Sequence, residues 1–414
     1  MSDTRTPLWR LVLAALLAAV AAGLIGVALA WLLEVVEWLG YGVAEGSLPD
    51  RVRGATPWRL VLSPAVGGLV AGALWWWQRS AGGVVGVEDV VTDETGQTAT
   101  RMGIARPFGD AVLQVLTVGA GNSVGREGAP RLAAGAVAAR LASALGVDPG
   151  WTRLLVASAA GAGLAAMYNA PLGGAAYAVE IVMLAGQRRR GLWLAVPVSG
   201  AATVVSWLRS YGQPSLLMPE ARYGPATLLA CLLVVPLAAA VGWVARGGWG
   251  WLRRHRLPDT WSLPVAIGGA GLATGTASLW IADLPGNGRD AFQLALTSPA
   301  TAAALVVLLG IVALKPVLTG LTLGAGATGG LLAPSFSLGA CTGAAAATGL
   351  TLAGVGGLST PALALVGAGV TLGVTQRAPV FAAVFVWELT QGPLWTLPVL
   401  LVGCWITERA CRRG

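Results

Sequence analysis

Charge is what this sequence has least of. Of its 414 residues only 11% are charged while 55% are hydrophobic, and the mean hydropathy is +0.70. A water-soluble chain of this size does not have that composition. Histidine occurs once, as His255 within Arg253-Arg254-His255-Arg256, where a solvated ring is expected. No Ser-His-Asp set, HExxH helix or phosphate-binding P-loop is present, which argues against a membrane enzyme. The four cysteines, Cys231, Cys341, Cys404 and Cys411, are scattered without metal-ligand spacing and read as small core or helix-end residues, so no metal or cofactor is expected. Lysine also occurs once. Lys315 sits between the apolar stretch 301–314 and Pro316, where its stem is expected to snorkel to a boundary. Residues 316–376 carry no charge at all.

What the chain does have is uncharged runs of spanning length: Leu11–Leu33, Leu60–Trp77, Thr227–Ala245 and Val265–Ala282. These make it an all-α polytopic membrane protein whose first partner is the lipid bilayer. The first run is long for a signal peptide and is followed by further spans, so it is expected to stay in the mature protein. Several other apolar segments are too short to cross a bilayer, and broken helices are tolerated at membrane depth only where protein buries them or they line a cavity. The net charge of +8 comes from short arginine clusters at segment ends: Arg188-Arg189-Arg190, the run around His255, and Arg409, Arg412 and Arg413. Such clusters mark cytoplasmic ends rather than a nucleic-acid surface. The expected location is therefore the cell membrane, multi-pass, with both termini cytoplasmic; Arg5 and Arg10 support the N-terminal side, diluted by Asp3.

The segment Val124-Gly125-Arg126-Glu127-Gly128-Ala129-Pro130 sets two ionisable residues at the mouth of an apolar helix, Leu132–Leu145, interrupted only by Arg140. An ionisable residue inside an apolar segment is a functional-site hypothesis by default. The flanking glycines let backbone amides approach a small ligand, and a helix start adds N–H groups and a partial positive charge that attract anions. The Glu127 carboxylate is itself an anion. It can occupy such a place, and it must be displaced or protonated before a dissolved anion replaces it.

The chain also repeats itself. Ala129-Pro130, followed by Gly135 and then by Asn169-Ala170-Pro171 and Glu180, is matched by Ala333-Pro334, Gly339, Arg377-Ala378-Pro379 and Glu388. The glutamate stands nine residues after the second proline in both copies. Paired repeats with Gly/Pro-interrupted apolar segments point to a transporter site near the midplane. We divide the single membrane domain into a first repeat half, residues 1–210, and a second, 211–414.

Four stretches, Gly125–Pro130, Tyr168–Leu172 running on to Glu180, Gly329–Pro334, and Arg377–Pro379 running on to Glu388, resemble the motifs of the CLC family of chloride channels and proton-coupled anion antiporters, in the family's order. The resemblance implies an inverted repeat with tilted and partly re-entrant helices, and a homodimer in which each subunit has its own pathway. It implies that Glu127 is the gating, proton-coupling glutamate. It places the anion against Gly125, Arg126, Gly128, Gly330, Leu331, Leu332 and Ala333, with Gly83 and Val84 at the first filter motif. The departures are specific. That motif is usually Gly-Ser-Gly-Ile-Pro but reads Gly83-Val84-Val85-Gly86-Val87 here; Leu332 replaces the usual phenylalanine; and no tyrosine follows Tyr223. Tyr168 and Tyr177 are expected to pack, although either could lend a hydroxyl in place of the missing one. The adjacent glutamates common in proton-coupled members read Glu180-Ile181. Glu180 and Glu388 are expected to serve structure.

The resulting expectation is transport of small monovalent anions, with chloride/proton exchange leading, a fluoride/proton antiporter and a passive channel as alternatives, and inorganic anions and protons as partners. A membrane sensor or scaffold would need soluble readout domains, and none is visible in the sequence.

Overall fold

Residues 6–413 are described by a computed structural model, the side chains of Arg412 and Arg413 excepted. Arg5, Asp3 and those two side chains, on which the expected orientation of the termini partly rests, lie outside the described residues. Eighteen α-helices follow one another: α1 Leu8–Tyr41, α2 Leu48–Gly54, α3 Pro57–Ser80, α4 Val87–Thr92, α5 Gln97–Arg101, α6 Ala105–Gly119, α7 Gly128–Ala144, α8 Pro149–Tyr168 and α9 Pro171–Tyr177, then α10 Arg188–Ser210, α11 Pro225–Arg254, α12 Ser262–Ser278, α13 Arg289–Thr297, α14 Ala302–Gly324, α15 Leu332–Leu352, α16 Thr360–Gln376, α17 Pro379–Thr390 and α18 Thr396–Arg413. Among the described residues there is no strand, only an isolated antiparallel bridge between Gly125 and Gly330.

Among the described residues five helical segments are long and apolar enough to cross a membrane: Leu8–Tyr41, Pro57–Ser80, Ala185–Ser210, Pro225–Arg254 and Ala302–Gly324. Three contain runs named from the sequence. The expected span Val265–Ala282 is corrected: α12 stops at Ser278, and Leu279 and Trp280 close turns onto the Thr276 and Ala277 carbonyls ahead of Pro285 and Gly286. Two spans were hidden from a search for uncharged runs, one because it opens on Arg188–Arg190 and the other because it contains Lys315.

The chain divides into two compact units. One gathers the chain up to Leu32, Gln78–Leu113 and Glu127–Ser215; the other gathers Leu33–Trp77, Gln114–Arg126 and Leu216–Gly414. In the first unit α8 packs against α7, α9 and α10, and α4 lies against α7 and α8. Small residues make this possible. A Cβ at Gly163 of α8 would collide with the Pro130 carbonyl oxygen of α7, and one at Gly161 with the Gly174 carbonyl of α9, so these backbones touch directly. Lipid chains are as apolar as leucine, so close van der Waals contact rather than a hydrophobic drive holds such helices together. In the second unit α15 and α16 meet the same way, a Cβ at Gly367 colliding with the Gly339 carbonyl. Phe292, Phe336, Phe385 and Phe381 form a chain of ring contacts beside them, with centroids 5.1–6.4 Å apart.

Both Ala-Pro breaks have one backbone geometry. α8 ends on Asn169 (φ 52°, ψ 46°) and α16 on Arg377 (φ 55°, ψ 34°), both left-handed caps. The next residues, Ala170 (φ −132°) and Ala378 (φ −135°), are followed by a proline in the first turn of a new helix. Proline at a helix start loses nothing, because its missing N–H would have had no intrahelical acceptor there. Asn169 fits its cap well, since its side chain also donates to the Gln213 carbonyl (2.8 Å being the length of a second bond that it accepts from Trp207 Nε1).

Candidate functional site

In the second unit the backbone bends sharply before Glu127. Gly125 and Gly330 exchange both possible bonds, Gly125 N–H to Gly330 O at 2.9 Å and Gly330 N–H to Gly125 O at 2.7 Å. Val124, fully buried beside Val118 and Leu323, presses on Gly329, where any Cβ would collide with it. Asn122 Nδ2 donates to the Pro64 carbonyl at 2.8 Å, and the buried hydroxyls of Ser123 and Thr319 stand 3.2 Å apart. The bridge narrows the expectation that amides of this segment face an anion: the N–H groups of Gly125 and Gly330 are each engaged by the other residue's carbonyl. The amides of Leu332 and Ala333 instead belong to the first turn of α15, whose cap is Leu331, and the first N–H groups of a helix lack acceptors within it. Leu331 also accepts the Ser335 hydroxyl on its carbonyl. Arg126 is 8% exposed, its Nε has no hydrogen-bond partner, and its charge lies within electrostatic reach of the Glu37 and Asp290 carboxylates.

Glu127 belongs to the first unit. It has no exposed surface and occupies the cap position of α7, one residue before Gly128. Its side chain does not cap its own helix; its Oε1 accepts a hydrogen bond from the Tyr168 hydroxyl at 3.2 Å. Tyr168 is itself fixed. It is the last residue of α8, its carbonyl accepts from Ser215, and Asn169 beyond it is locked by Trp207 and the Gln213 carbonyl. Nothing in the sequence favours Tyr168 over Tyr177 as a hydroxyl donor, because the choice rests on where α8 ends relative to the start of α7.

The Gly83–Val87 stretch reaches the same helix. Residues four apart share one face of a helix, so Glu127, the residue at 131, and Gly135 line one side of α7. A Cβ at Gly135 would stand 2.7 Å from Val87 Cγ2, so the start of α4 is pressed onto that side. Gly83 to Gly86 form no regular structure, Arg106 holds the Ala81 and Gly83 carbonyls, and Asp89 accepts the Gly86 N–H at 2.8 Å. Val84 is half-buried there. Beyond α4, the carboxyl of Asp93 is held well below the usual carboxylate range by hydrogen bonds from the Thr95 hydroxyl at 2.6 Å and the Thr98 N–H at 2.7 Å.

Of two further residues singled out in the sequence, Lys315 sits otherwise than expected. Glu180 lies in a single π-helical turn, Ala178–Val182, and its carbonyl accepts from Arg188 at 2.9 Å. Lys315 does not snorkel. It is completely buried, and its ammonium donates to the carbonyls of Leu284 at 2.6 Å and Gly286 at 2.8 Å. Gly286 in turn gives its N–H to the Gly121 carbonyl at 3.3 Å, which ties this loop to the segment that leads into Gly125. A single lysine at the edge of a long charge-free stretch was the available signal, since a charge at membrane depth needs a specific partner.

Among known proteins, the sequence matches the family described as voltage gated chloride channel over residues 67–409. The voltage-gated ClC-type chloride channel ClcB of Salmonella dublin is 29% identical over 96% of this chain and 94% of its own length. The protein of the same description from Citrobacter koseri is 30% identical over 89% and 88%. Among solved structures, a slow cyanobacterial Cl−/H+ antiporter superposes with a TM-score of 0.76 at 21% identity, over 97% of this chain and 94% of that one. A CLC-type fluoride/proton antiporter does so with a TM-score of 0.72 at 19% identity, over 97% and 95%. The two structures establish the fold, and the sequence match, which runs through most of the chain, establishes descent: this protein belongs to the CLC, or voltage-gated chloride channel, family of anion channels and transporters rather than to any class of enzyme.

Proposed function

We propose that the protein is a halide/proton antiporter of the cell membrane in which Glu127 is the gating and proton-coupling group. The observation that carries this reading is a carboxylate with no exposed surface at the start of α7, met by the Tyr168 hydroxyl. An isolated ionised carboxylate away from water is costly, and a buried one persists only with hydrogen-bond donors or by taking up a proton. Glu127 therefore has two states that differ in charge. Ionised, it occupies the anion's place; protonated, it no longer does, and a halide enters. Backbone N–H groups at Gly128 and at Leu332 and Ala333 are the donors that the resemblance to the family assigns to the anion, with Gly83 and Val84 at its first filter motif. Chloride is the default ion, no cofactor is required, the assembly is a homodimer with one pathway per subunit, and both termini face the cytoplasm.

Two observations keep competing readings testable. Val84 and Leu332 offer no hydroxyl or aromatic edge at the filter, which suits a smaller, more strongly hydrated ion such as fluoride. Ile181 provides no titratable group beside Glu180, which suits a passive channel. The test is efflux from liposomes holding the purified protein, loaded in parallel with chloride or fluoride, with external pH recorded on the same sample. Halide release coupled to proton movement supports the antiporter, and the faster halide identifies the ion. Release without proton movement makes the protein a channel, and no release of either halide sinks the transport reading.

A further inference from the structure

The face of α7 that carries Glu127 holds a second charge one turn on. Arg131 is four residues from Glu127 and four from Gly135, against which Val87 packs, so it points along the start of α4. Its Nη2 lies 3.2 Å from Glu88 Oε1, and its guanidinium carbon lies 4.6 Å over the centre of the Tyr177 ring. The Arg131 side chain is only 19% exposed, whereas that of Glu88 is 61% exposed, so the pair runs from solvent into the protein. Arg131 Nε is buried and has no hydrogen-bond partner. Tyr177 is fully buried, and the charges of Arg131, Glu88 and Glu127 all lie within electrostatic reach of its hydroxyl. The neighbouring Asp89 is occupied with the Gly86 N–H.

These facts set one fixed cation against a watery carboxylate and one helical turn from a buried one. The ring beneath the guanidinium holds it in place, because arginine stacks on aromatic faces while keeping its donors in plane. Glu88 makes a single, solvent-facing contact with it, the kind of ion pair that binds weakly and that another anion displaces readily. We propose that Arg131 is an entry site for small monovalent anions on the approach to Glu127, with the Glu88 carboxylate as its resident competitor. This rests on the reading that the chain moves halides, and it adds a residue that sets the apparent affinity of the approach.

The two partners predict opposite effects. With the purified full-length protein in liposomes, the initial rate of chloride efflux is measured over a series of chloride loads. Glu88→Gln removes the competitor while keeping the shape, so the half-saturating chloride concentration falls, about threefold for a weak exposed pair. Arg131→Gln removes the cation and raises that concentration about fivefold, with the maximal rate less affected, and Arg131→Lys recovers part of the loss. A purely structural ion pair would respond to both glutamine variants in the same direction, since each breaks the same contact. Glu88 is exposed and its variant is expected to fold, so it decides the matter alone: a half-saturating concentration unchanged or raised in Glu88→Gln overturns the proposal. If the wild type releases neither chloride nor fluoride, the transport reading falls and this inference with it; if it releases a halide and Glu88→Gln behaves as wild type toward that halide, only this inference falls.

Discussion

The starts of α7 and α15 are built alike and loaded differently. Each follows the Gly125–Gly330 bridge by a residue or two, each carries Ala-Pro in its first turn, and each is followed by a helix that meets its backbone through a glycine. The later Ala-Pro breaks even share dihedral angles, with Asn169 and Arg377 in the left-handed region. Yet the first start holds Glu127 and Arg131, whereas residues 316–376 around the second hold no charge. Backbone architecture is therefore separable from chemistry: a pair of helix starts supplies amides and partial charge twice over, and one of them adds a group that can change its own charge.

The largest effect expected from breaking this asymmetry is at Glu127. Glu127→Gln is nearly isosteric and neutral at every pH, so it makes the first start resemble the second. Proton movement driven by a chloride gradient should fall to the level of protein-free liposomes, while passive chloride flux persists and loses its pH dependence. Wild-type proton movement in this variant would remove Glu127 from the coupling role and make Glu180 the next carboxylate to test. The architectural likeness is sharpened by a matched pair of substitutions. Gly163→Ala and Gly367→Ala each place a methyl group against a backbone carbonyl that cannot move aside, Pro130 in one unit and Gly339 in the other. Overpacking of this kind costs about 1–3 kcal/mol, more than the gain of about 1 kcal/mol from replacing glycine in a helix. Both variants should unfold several degrees below wild type in detergent, followed by the fluorescence of the 18 tryptophans. If one variant is as stable as wild type, the two helix pairs are not packed on the same principle.

How much of this was legible in the sequence follows from which interactions are local. Composition and run length marked the membrane class, and the Ala-Pro spacings marked the repeated breaks, because proline and a left-handed cap act within three residues. Glu127 stood out because its glycines and its apolar helix adjoin it. What escaped was long-range. Lys315 was placed at a boundary because its three carbonyl neighbours lie about 30 residues upstream in a loop with no signal of its own. The hydroxyl that meets Glu127 comes from Tyr168, 41 residues away, and was one of two tyrosines between which sequence spacing could not choose. Val265–Ala282 looked like a span because hydropathy does not register where backbone turns close, and α14 was missed because one buried charge hid it.

Tyr168→Phe tests that unexpected contact. The phenol donates to the carboxylate of Glu127 and so favours its ionised form, a hydrogen bond to a charged group being worth about 1.5–3 kcal/mol. The pH at which chloride efflux reaches half its maximum should therefore move upward, with the carboxylate and its coupling retained. An unchanged midpoint in a folded variant would mean that the Tyr168 hydroxyl only packs against Glu127.

The smallest expected effect concerns selectivity, and it asks whether the first unit lacks a donor that the fold could accommodate. Ion choice in a narrow path depends on how far protein dipoles compensate for the water an ion sheds. Gly83–Val87 has room for such a dipole: Gly83 has open space where a Cβ would stand, Val84 is half-buried, and the segment is held at its ends by Arg106 and by the packing of Val87 on Gly135. Serine is smaller than valine and differs chiefly by its hydroxyl, so Val84→Ser should fold and should not disturb α7. If this stretch lines the approach, the added donor helps chloride more than fluoride, because fluoride's tighter hydration shell needs more than one weak dipole to replace it. The ratio of chloride to fluoride efflux should then rise about two- to fivefold, as expected for a single net hydrogen bond of about 0.5–1 kcal/mol. Leu332→Ser at the second start supplies the control, since it adds a hydroxyl beside helix-start amides already proposed as donors and should shift the ratio less. A ratio unmoved in Val84→Ser, with coupling through Glu127 intact, would place the anion's path away from Gly83–Val87.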